Sequence, residues 1–128
     1  MFRASLDEIE ALGETWMTNT QGGNQMIVEM RAYTLRPGAL GTYLKDFTKL
    51  VPVLEEHQGP LLGYFTSEVG ELNQVFALRG YKDFEDRQAR RQSLIKDERF
   101  IKAGETLMPM IQSQYNWVLS PTPFSPIK

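Results

Sequence analysis

The sequence contains no cysteine and a single histidine, His57, among its 128 residues. The lack of cysteine excludes disulfides, zinc–thiolate sites and thiol nucleophiles together. One imidazole without any thiol also argues against a dedicated His/Cys metal site, because such sites take several of these ligands. No acidic cluster points to a site made of carboxylates alone, so we expect neither a metal nor a cofactor.

Excess positive charge and long apolar runs are also missing. The chain has 14 Lys and Arg against 16 Asp and Glu, a net charge of −2. This balance argues against a nucleic-acid or anionic-membrane surface, since either needs a basic footprint. No apolar run approaches the roughly 18–20 residues of a membrane span, and the opening MFRASLDEIEALG lacks the order of a signal peptide. We therefore expect a soluble, cytoplasmic protein of one domain.

Residues 1–25 differ in composition from the rest of the chain. The stretch SLDEIEALGETW predicts a short helix, because Ser5 and Glu8 have the spacing of a capping box. TNTQGGNQ, which follows, is polar and glycine-bearing like a linker. We expect either an extension ahead of the folded domain or a helix that docks on a partner subunit. The domain is expected over residues 26–120, with a proline-rich tail at 121–128.

The apolar periodicity of the domain alternates between that of strands and that of helices. A two-residue period predicts a strand, and spacing at i, i+3, i+4 and i+7 predicts an amphipathic helix. Strands are predicted over 26–35, 61–69, 73–81 and 110–120, and helical segments over 39–57, 84–95 and 97–108. Asp97 is the predicted N-cap of the last helical segment.

The resulting β-α-β-β-α-β order predicts an α+β fold of the ferredoxin-like type, with an antiparallel sheet and its helices on one face. The first strand, MIVEMRAYTLRPG, carries two alternating sets: Val28, Met30 and Ala32, and the polar trio Glu29, Arg31 and Tyr33. We expect the small apolar set to face the helices and the polar trio to lie on the uncovered face. Because an uncovered face normally finds a partner, we expect a homodimer, or a higher even oligomer, whose facing sheets enclose a polar barrel pocket.

Four segments carry a family resemblance: MIVEMRAYTLRPG, GYFTSEVGELNQVFALRGY, DFEDRQARRQSL and SQYNWVLSPTPFSP. In this order, over about Met26 to Pro126, they resemble the NIPSNAP family of the dimeric α+β-barrel superfamily. The resemblance implies a ferredoxin-like fold that pairs sheet to sheet. It implies no defined activity, since the biochemical activity of the family is not settled. The family-like positions include the polar trio, Arg87 and Arg91, and two residues of the last strand, Gln114 and Asn116.

The candidate ligand-binding residues are the polar trio together with Gln114 and Asn116. Glu29 and Arg31 are two residues apart on one strand face, within reach of a charge-assisted pair. One interpretation is a salt bridge that fixes the sheet or the dimer seam. In the other, Arg31 anchors an anionic ligand, Glu29 tunes it and Tyr33 donates a hydroxyl hydrogen bond. No catalytic residue is assigned.

Two further groups leave alternatives open. His57 falls at the C-terminal end of the first predicted helix, which fits a capping or surface role through the helix dipole; a haem or catalytic role is the alternative. Arg87 and Arg91 are i, i+4 neighbours in DRQARR. They can form a solvated helix face or a phosphate or carboxylate site, since guanidinium suits bidentate anions.

The sequence favours a homo-oligomeric NIPSNAP-type protein that binds a small anionic or polar molecule or acts as a scaffold. Nucleic acid is not expected as a partner, and neither is a membrane span. The alternative is a metal-independent enzyme of the oxygenase or isomerase type that acts on a small ligand in the dimeric barrel. A third interpretation is an oligomeric interaction protein that uses the N-terminal helix and the proline-rich tail.

Overall fold

The computed structural model describes residues 26–128, so the helix and linker predicted within residues 1–25 lie outside the described residues. The elements are β1 (Ile27–Leu35), α1 (Leu40–His57), β2 (Leu61–Thr66), β3 (Gln74–Tyr81), α2 (Phe84–Ile95), α3 (Glu98–Leu107) and β4 (Ile111–Leu119). Their order and type match the prediction, and the ferredoxin-like α+β fold is confirmed. None of the helices in the described range is long and apolar enough to cross a membrane.

The four strands form one antiparallel sheet in the order β2-β3-β1-β4. β1 is therefore an inner strand, with β3 on one side and β4 on the other. Arg31, near its middle, lies opposite Ala77 of β3 and Asn116 of β4. This position places the side chains of β1 at the centre of the sheet, where they are far from either edge.

β2 is shorter than predicted because the chain turns before residue 69. Strand pairing with β3 stops at Thr66. Gly70 and Asn73 in the connection have φ values of 116° and 62°. Gly and Asn tolerate this left-handed region better than other residues do, which explains why the turn forms here.

The helix boundaries follow local side-chain chemistry. The Asp83 carboxylate accepts a hydrogen bond from the backbone N–H of Asp86 at 2.8 Å, and α2 begins at Phe84. The Asp97 carboxylate accepts from the backbone N–H of Arg99 at 2.9 Å, which confirms Asp97 as the N-cap of α3. Side-chain oxygens in these places satisfy N–H groups that have no partner within the helix.

Gly59, between α1 and β2, permits a close approach to β3. A Cβ atom at this position would lie 1.9 Å from the carbonyl oxygen of Gly80, which is far inside van der Waals contact. Its own carbonyl oxygen accepts a hydrogen bond from Nη1 of Arg79 at 3.0 Å. The glycine therefore fixes a buried guanidinium at one end of the sheet.

The polar trio faces the helices, so the predicted assignment of faces is wrong. Glu29 accepts a hydrogen bond from Arg87 of α2, and Tyr33 packs against the core that α1 and α3 cover. Leu35, two residues beyond Tyr33 and on the same side of β1, is fully buried in that core. The odd-numbered positions of β1 therefore belong to the helix-covered face, and the expected pocket between facing sheets is not where the polar trio lies.

The small apolar residues of β1 instead belong to the uncovered face of the sheet. Ala32 is only 3% exposed there, because it lies between Phe76 of β3 and Tyr115 of β4. Its low exposure therefore comes from larger cross-strand neighbours rather than from a helix. The side chains of this face, here called the open face, include Met30, Phe65, Phe76, Leu78, Tyr115, Trp117 and Leu119.

Candidate functional site

A cavity of about 120 Å³ lies between the sheet and the helices α1 and α3 of a single chain. Most of its wall is apolar or aromatic, contributed by Tyr43, Phe47, Leu50, Leu54, Tyr64, Val75, Phe100 and Leu107. The polar trio, Gln58 and Arg79 form the polar part of the wall. The cavity therefore combines an apolar interior with a group of charged and hydrogen-bonding side chains at one side.

The aromatic wall is continuous from α1 to the sheet. The Tyr43 and Phe47 ring centroids are 5.7 Å apart, and those of Phe47 and Tyr64 are 5.0 Å apart. Burial raises the pKa of Tyr64 to about 12 and also raises the pKa of Tyr43. Both hydroxyls therefore stay neutral near pH 7 and can donate or accept hydrogen bonds without carrying charge.

Glu29 is a buried acid at the polar side of the cavity, with 3% of its surface exposed. Its Oε2 atom accepts from Nε of Arg87 at 2.6 Å and from Nδ2 of Asn116 at 3.1 Å, and Nη2 of Arg87 also contacts it. One carboxylate thus joins β1, α2 and β4. A buried charge is tolerated when it is paired and hydrogen-bonded in this way.

Arg31 lies beside this pair with much of its donor capacity unused. Its Nη1 atom donates to the Tyr33 hydroxyl at 3.0 Å. Its Nε atom is buried and has no hydrogen-bond partner among the described residues; the nearest acid oxygen, Oε1 of Glu29, is 3.6 Å away. The side chain as a whole keeps 24% of its surface exposed. A buried donor without a partner costs roughly 1–3 kcal/mol, so an acceptor at this position would stabilise the site.

Arg87 and Arg91, the i, i+4 pair of α2, have different surroundings. Arg87 is bonded to Glu29, whereas Arg91 makes no hydrogen bond or ion pair within residues 26–128. Burial lowers the pKa of Arg91, the positive charge of Arg31 lowers it further, and Glu29 raises it. Arg91 is therefore a half-buried cation close to a second cation.

The sequence interpretation missed two polar residues of the cavity. Arg79 is nearly buried and donates to the Gly59 carbonyl and, at 3.4 Å, to Oε1 of Glu55. Gln58 has a buried Oε1 atom with no hydrogen-bond partner in the described part of the chain. Arg79 and Ala77 are two residues apart on β3 and therefore share one strand face, opposite Glu29 and Arg31 of β1. This spacing was the available signal for Arg79, whereas nothing in the sequence marked Gln58.

The structure brings together four of the five candidate ligand-binding residues. The polar trio lines the cavity directly, and Asn116 lies behind it through its hydrogen bond to Glu29. Gln114 is exposed, and its Nε2 atom contacts Sδ of Met108 at 3.8 Å. It is not among the residues that line the cavity.

His57 lies outside the cavity and joins three helices. Its Nδ1 atom is 2.7 Å from Oγ of Ser93, and its Nε2 atom is 2.8 Å from Oδ2 of Asp97. Glu56, His57 and Asp97 form a group of three candidate metal ligands in the described part of the chain. Arg99, however, already donates to Glu56 at 2.5 Å and to Asp97 at 2.7 Å. These contacts indicate that the cluster holds the helices together.

The sequence and the fold of this chain resemble those of known proteins. Among solved structures, a NIPSNAP family protein from Agrobacterium tumefaciens is 38% identical with a TM-score of 0.78, covering 80% of this chain and 99% of that one. Another NIPSNAP family protein from this organism, described as having unknown function, is 31% identical with a TM-score of 0.80, covering 82% and 96%. A candidate antibiotic biosynthesis monooxygenase from Caulobacter crescentus is 16% identical with a TM-score of 0.59, covering 83% of this chain and 98% of that one. At that identity the likeness shows the fold alone.

Curated relatives are longer than this chain. Protein NipSnap of Drosophila melanogaster is 28% identical over 78% of this chain and 36% of its own length. NipSnap homolog 1 of Danio rerio is 26% identical over 88% of this chain and 40% of its own length. The chain thus spans well under half the length of these relatives. A family model described as NIPSNAP matches residues 28–126. The predicted resemblance is confirmed, and the chain belongs to the NIPSNAP family.

Proposed function

We propose that this protein binds a compact polar or anionic molecule in the cavity between its sheet and its helices. One observation carries the proposal: two buried polar atoms that have no partner among residues 26–128, Nε of Arg31 and Oε1 of Gln58, belong to residues that line the same cavity. Buried polar groups in proteins are nearly always hydrogen-bonded, to protein, water or ligand. A ligand with suitable polar atoms can satisfy both while its remainder fills the apolar interior.

The cavity volume limits the ligand to a small number of atoms. An engineered apolar cavity of about 150 Å³ in another protein binds benzene. A space of about 120 Å³ therefore suits a ligand body of similar or smaller size, with its polar group directed to Arg31. The ligand is thus a compact molecule, and an extended cofactor does not fit within this volume.

Binding is favoured over catalysis by the surroundings of Glu29. It is the acid that lines the cavity, and Arg87 and Asn116 occupy one of its oxygens while Arg31 lies beside the other. A carboxylate held in this way is poorly placed to take a proton from a substrate, which a general base must do within hydrogen-bond reach. The oxygenase or isomerase alternative therefore has no specific support from the geometry of this cavity.

The experiment that tests ligand binding fills the cavity from one side. Gly104 lines the cavity, and a Cβ atom built on it meets no atom within 4 Å. The Gly104→Leu variant should therefore place its added carbon atoms in the space that a ligand would occupy. Gly41 in α1 is exposed and equally open around its Cβ position, so Gly41→Leu is a matched control.

Both variants and the wild type are screened by ligand-observed NMR against a library of compact molecules. We expect ligands that bind the wild type and the Gly41→Leu control but lose binding in Gly104→Leu. Urea unfolding curves establish that each variant is folded. Ligands that bind all three proteins equally would show that they occupy another place, and the proposal would then be wrong.

Homodimerisation through the open face is the second part of the proposal. Tyr115 and Trp117 are 56% and 43% exposed on this face, with their rings 6.0 Å apart, and Phe65 is exposed on the same face. An apolar patch of this kind is typical of a protein–protein interface. A second copy would bury it without touching the polar trio. Sedimentation velocity checks this proposal: the expected mass is twice the 14.7 kDa of the chain, and a stable monomer contradicts it.

The proposal concerns the domain, expected over residues 26–120 with the tail at 121–128. Because the relatives are longer than this chain, what their additional residues do is not carried over. A cytoplasmic location is part of the proposal, on the ground that a cysteine-free composition suits a reducing compartment. Cell fractionation checks it, and recovery of the protein in another compartment would contradict it.

A further inference from the structure

The charged side chains at the polar side of the cavity do not balance. Three guanidinium groups interact with one carboxylate, that of Glu29. Arg31 lines the cavity beside Glu29, whereas Arg87 and Arg91 are not among the lining residues. Arg87 binds the carboxylate directly, and Arg91 follows it by one helical turn on the same face of α2. Because Arg31 and Arg91 both lack a hydrogen-bonded acid among residues 26–128, the site carries uncompensated positive charge.

The surroundings of Arg91 show the electrostatic consequence. Burial lowers its pKa, and the neighbouring charge of Arg31 lowers it further. Two like charges in a partly dry place destabilise each other. An anion bound at Arg31 offsets this repulsion and also supplies the acceptor that the buried Nε atom of Arg31 lacks among the described residues.

The apolar walls decide which kind of anion fits. Phosphate or sulfate presents oxygen atoms in all directions, and those facing Phe47, Leu54 and Val75 would have no hydrogen-bond donor. Burying polar atoms without partners is costly. A carboxylate on an apolar body avoids this cost, because its oxygens gather at one end and its carbon atoms face the walls.

Resting on the proposed function, we propose that the ligand is a compact monocarboxylate. Its carboxylate lies against Arg31, with the Tyr33 hydroxyl close by, and its aliphatic or aromatic body fills the cavity against Phe47 and Leu54. Arg91, which the sequence interpretation left between a solvated helix face and an anion site, is not among the lining residues and adds positive charge near Arg31.

The test compares charged and neutral ligands of nearly equal shape. Butyrate and benzoate are titrated into the wild-type protein by ligand-observed NMR, alongside butyramide and benzamide, with inorganic phosphate as a third kind of probe. A hydrogen bond to a charged group changes affinity by roughly 10- to 100-fold. We therefore expect each carboxylate to bind at least about 10-fold more tightly than its amide, and phosphate to bind less tightly than either carboxylate.

Two variants locate the interaction. Arg31→Met removes the guanidinium that lines the cavity and has the unpartnered Nε donor, so it should lower carboxylate affinity by about 10-fold and change amide affinity less. Lys96→Met removes one positive charge just after the end of α2, where Lys96 is exposed, and serves as the matched control. It should leave the affinity for both kinds of ligand unchanged.

The possible failures are distinguishable. Equal affinity for carboxylate and amide would overturn this inference and leave ligand binding in the cavity intact. Tighter binding of phosphate, or an equal loss in Lys96→Met and Arg31→Met, would overturn the assignment of a monocarboxylate to this site. If none of these probes binds and the wider library also yields no ligand at the cavity, the proposed function itself is wrong.

Discussion

Replacing the buried acid of the cavity should have opposite effects on stability and on ligand binding. Glu29 holds Arg87 of α2 and Asn116 of β4; Glu29 is buried, and the Arg87 side chain keeps only 11% of its surface exposed. Removing one partner of a buried ion pair typically costs 3–5 kcal/mol, because the other charge is left uncompensated. Glutamine keeps the size of the side chain and one acceptor oxygen, so we expect Glu29→Gln to lower the free energy of unfolding by about 3 kcal/mol.

The measurement is urea unfolding of wild type and variant at one fixed protein concentration, because a dimer would make the apparent stability depend on concentration. Glu55→Gln is the control, since Glu55 is 49% exposed and pairs with Arg79 at 3.4 Å. Glu55 is half exposed to water, and Arg79 keeps its hydrogen bond to the Gly59 carbonyl without it, so we expect the control to lose only about 1 kcal/mol. Adding Arg87→Met to Glu29→Gln should recover part of the loss, because it removes the unpaired cation.

The same variant should bind carboxylates more tightly. Glu29 is the internal anion beside Arg31, so its neutralisation leaves more positive charge for a ligand. We expect the affinity of Glu29→Gln for benzoate to rise while its stability falls. A loss of stability no larger than that of Glu55→Gln would refute the structural argument, and a weaker affinity for benzoate would refute the electrostatic one.

Two further predictions concern the open face and the aromatic wall. Trp117→Lys should convert the proposed dimer to a monomer in sedimentation velocity. The control Val118→Lys, on the opposite face of the same strand, should leave the dimer intact. A dimer that survives Trp117→Lys contradicts the proposed interface. The pKa of Tyr64 is raised to about 12 by burial, so the neutral hydroxyl contributes its full stabilisation below about pH 10 and loses it as the pH rises toward 12. The free energy of unfolding in urea should therefore fall less between about pH 9 and pH 11 in Tyr64→Phe than in wild type. An equal fall in both proteins would contradict the raised pKa of Tyr64.

The architecture follows from local information in the sequence. The change of period from two to about 3.6 separates strands from helices, and capping chemistry marks where helices begin, as Asp97 shows. The sequence also identified the cations that interact with Glu29. The spacing of Arg87 and Arg91 placed them on one helix face, and strand alternation grouped Arg31 with Glu29.

Only the tertiary structure decided which face of β1 is covered and where the cavity lies. Strand alternation separates two sets of side chains but contains no information about which set the helices cover. The contact that settles it joins Glu29 to Arg87, which are 58 residues apart in the chain. Likewise, Ala32 is buried by Phe76 and Tyr115 from the two neighbouring strands. Such contacts depend on strand order and helix placement, which arise when distant segments pack together, so periodicity along a single strand cannot reveal them.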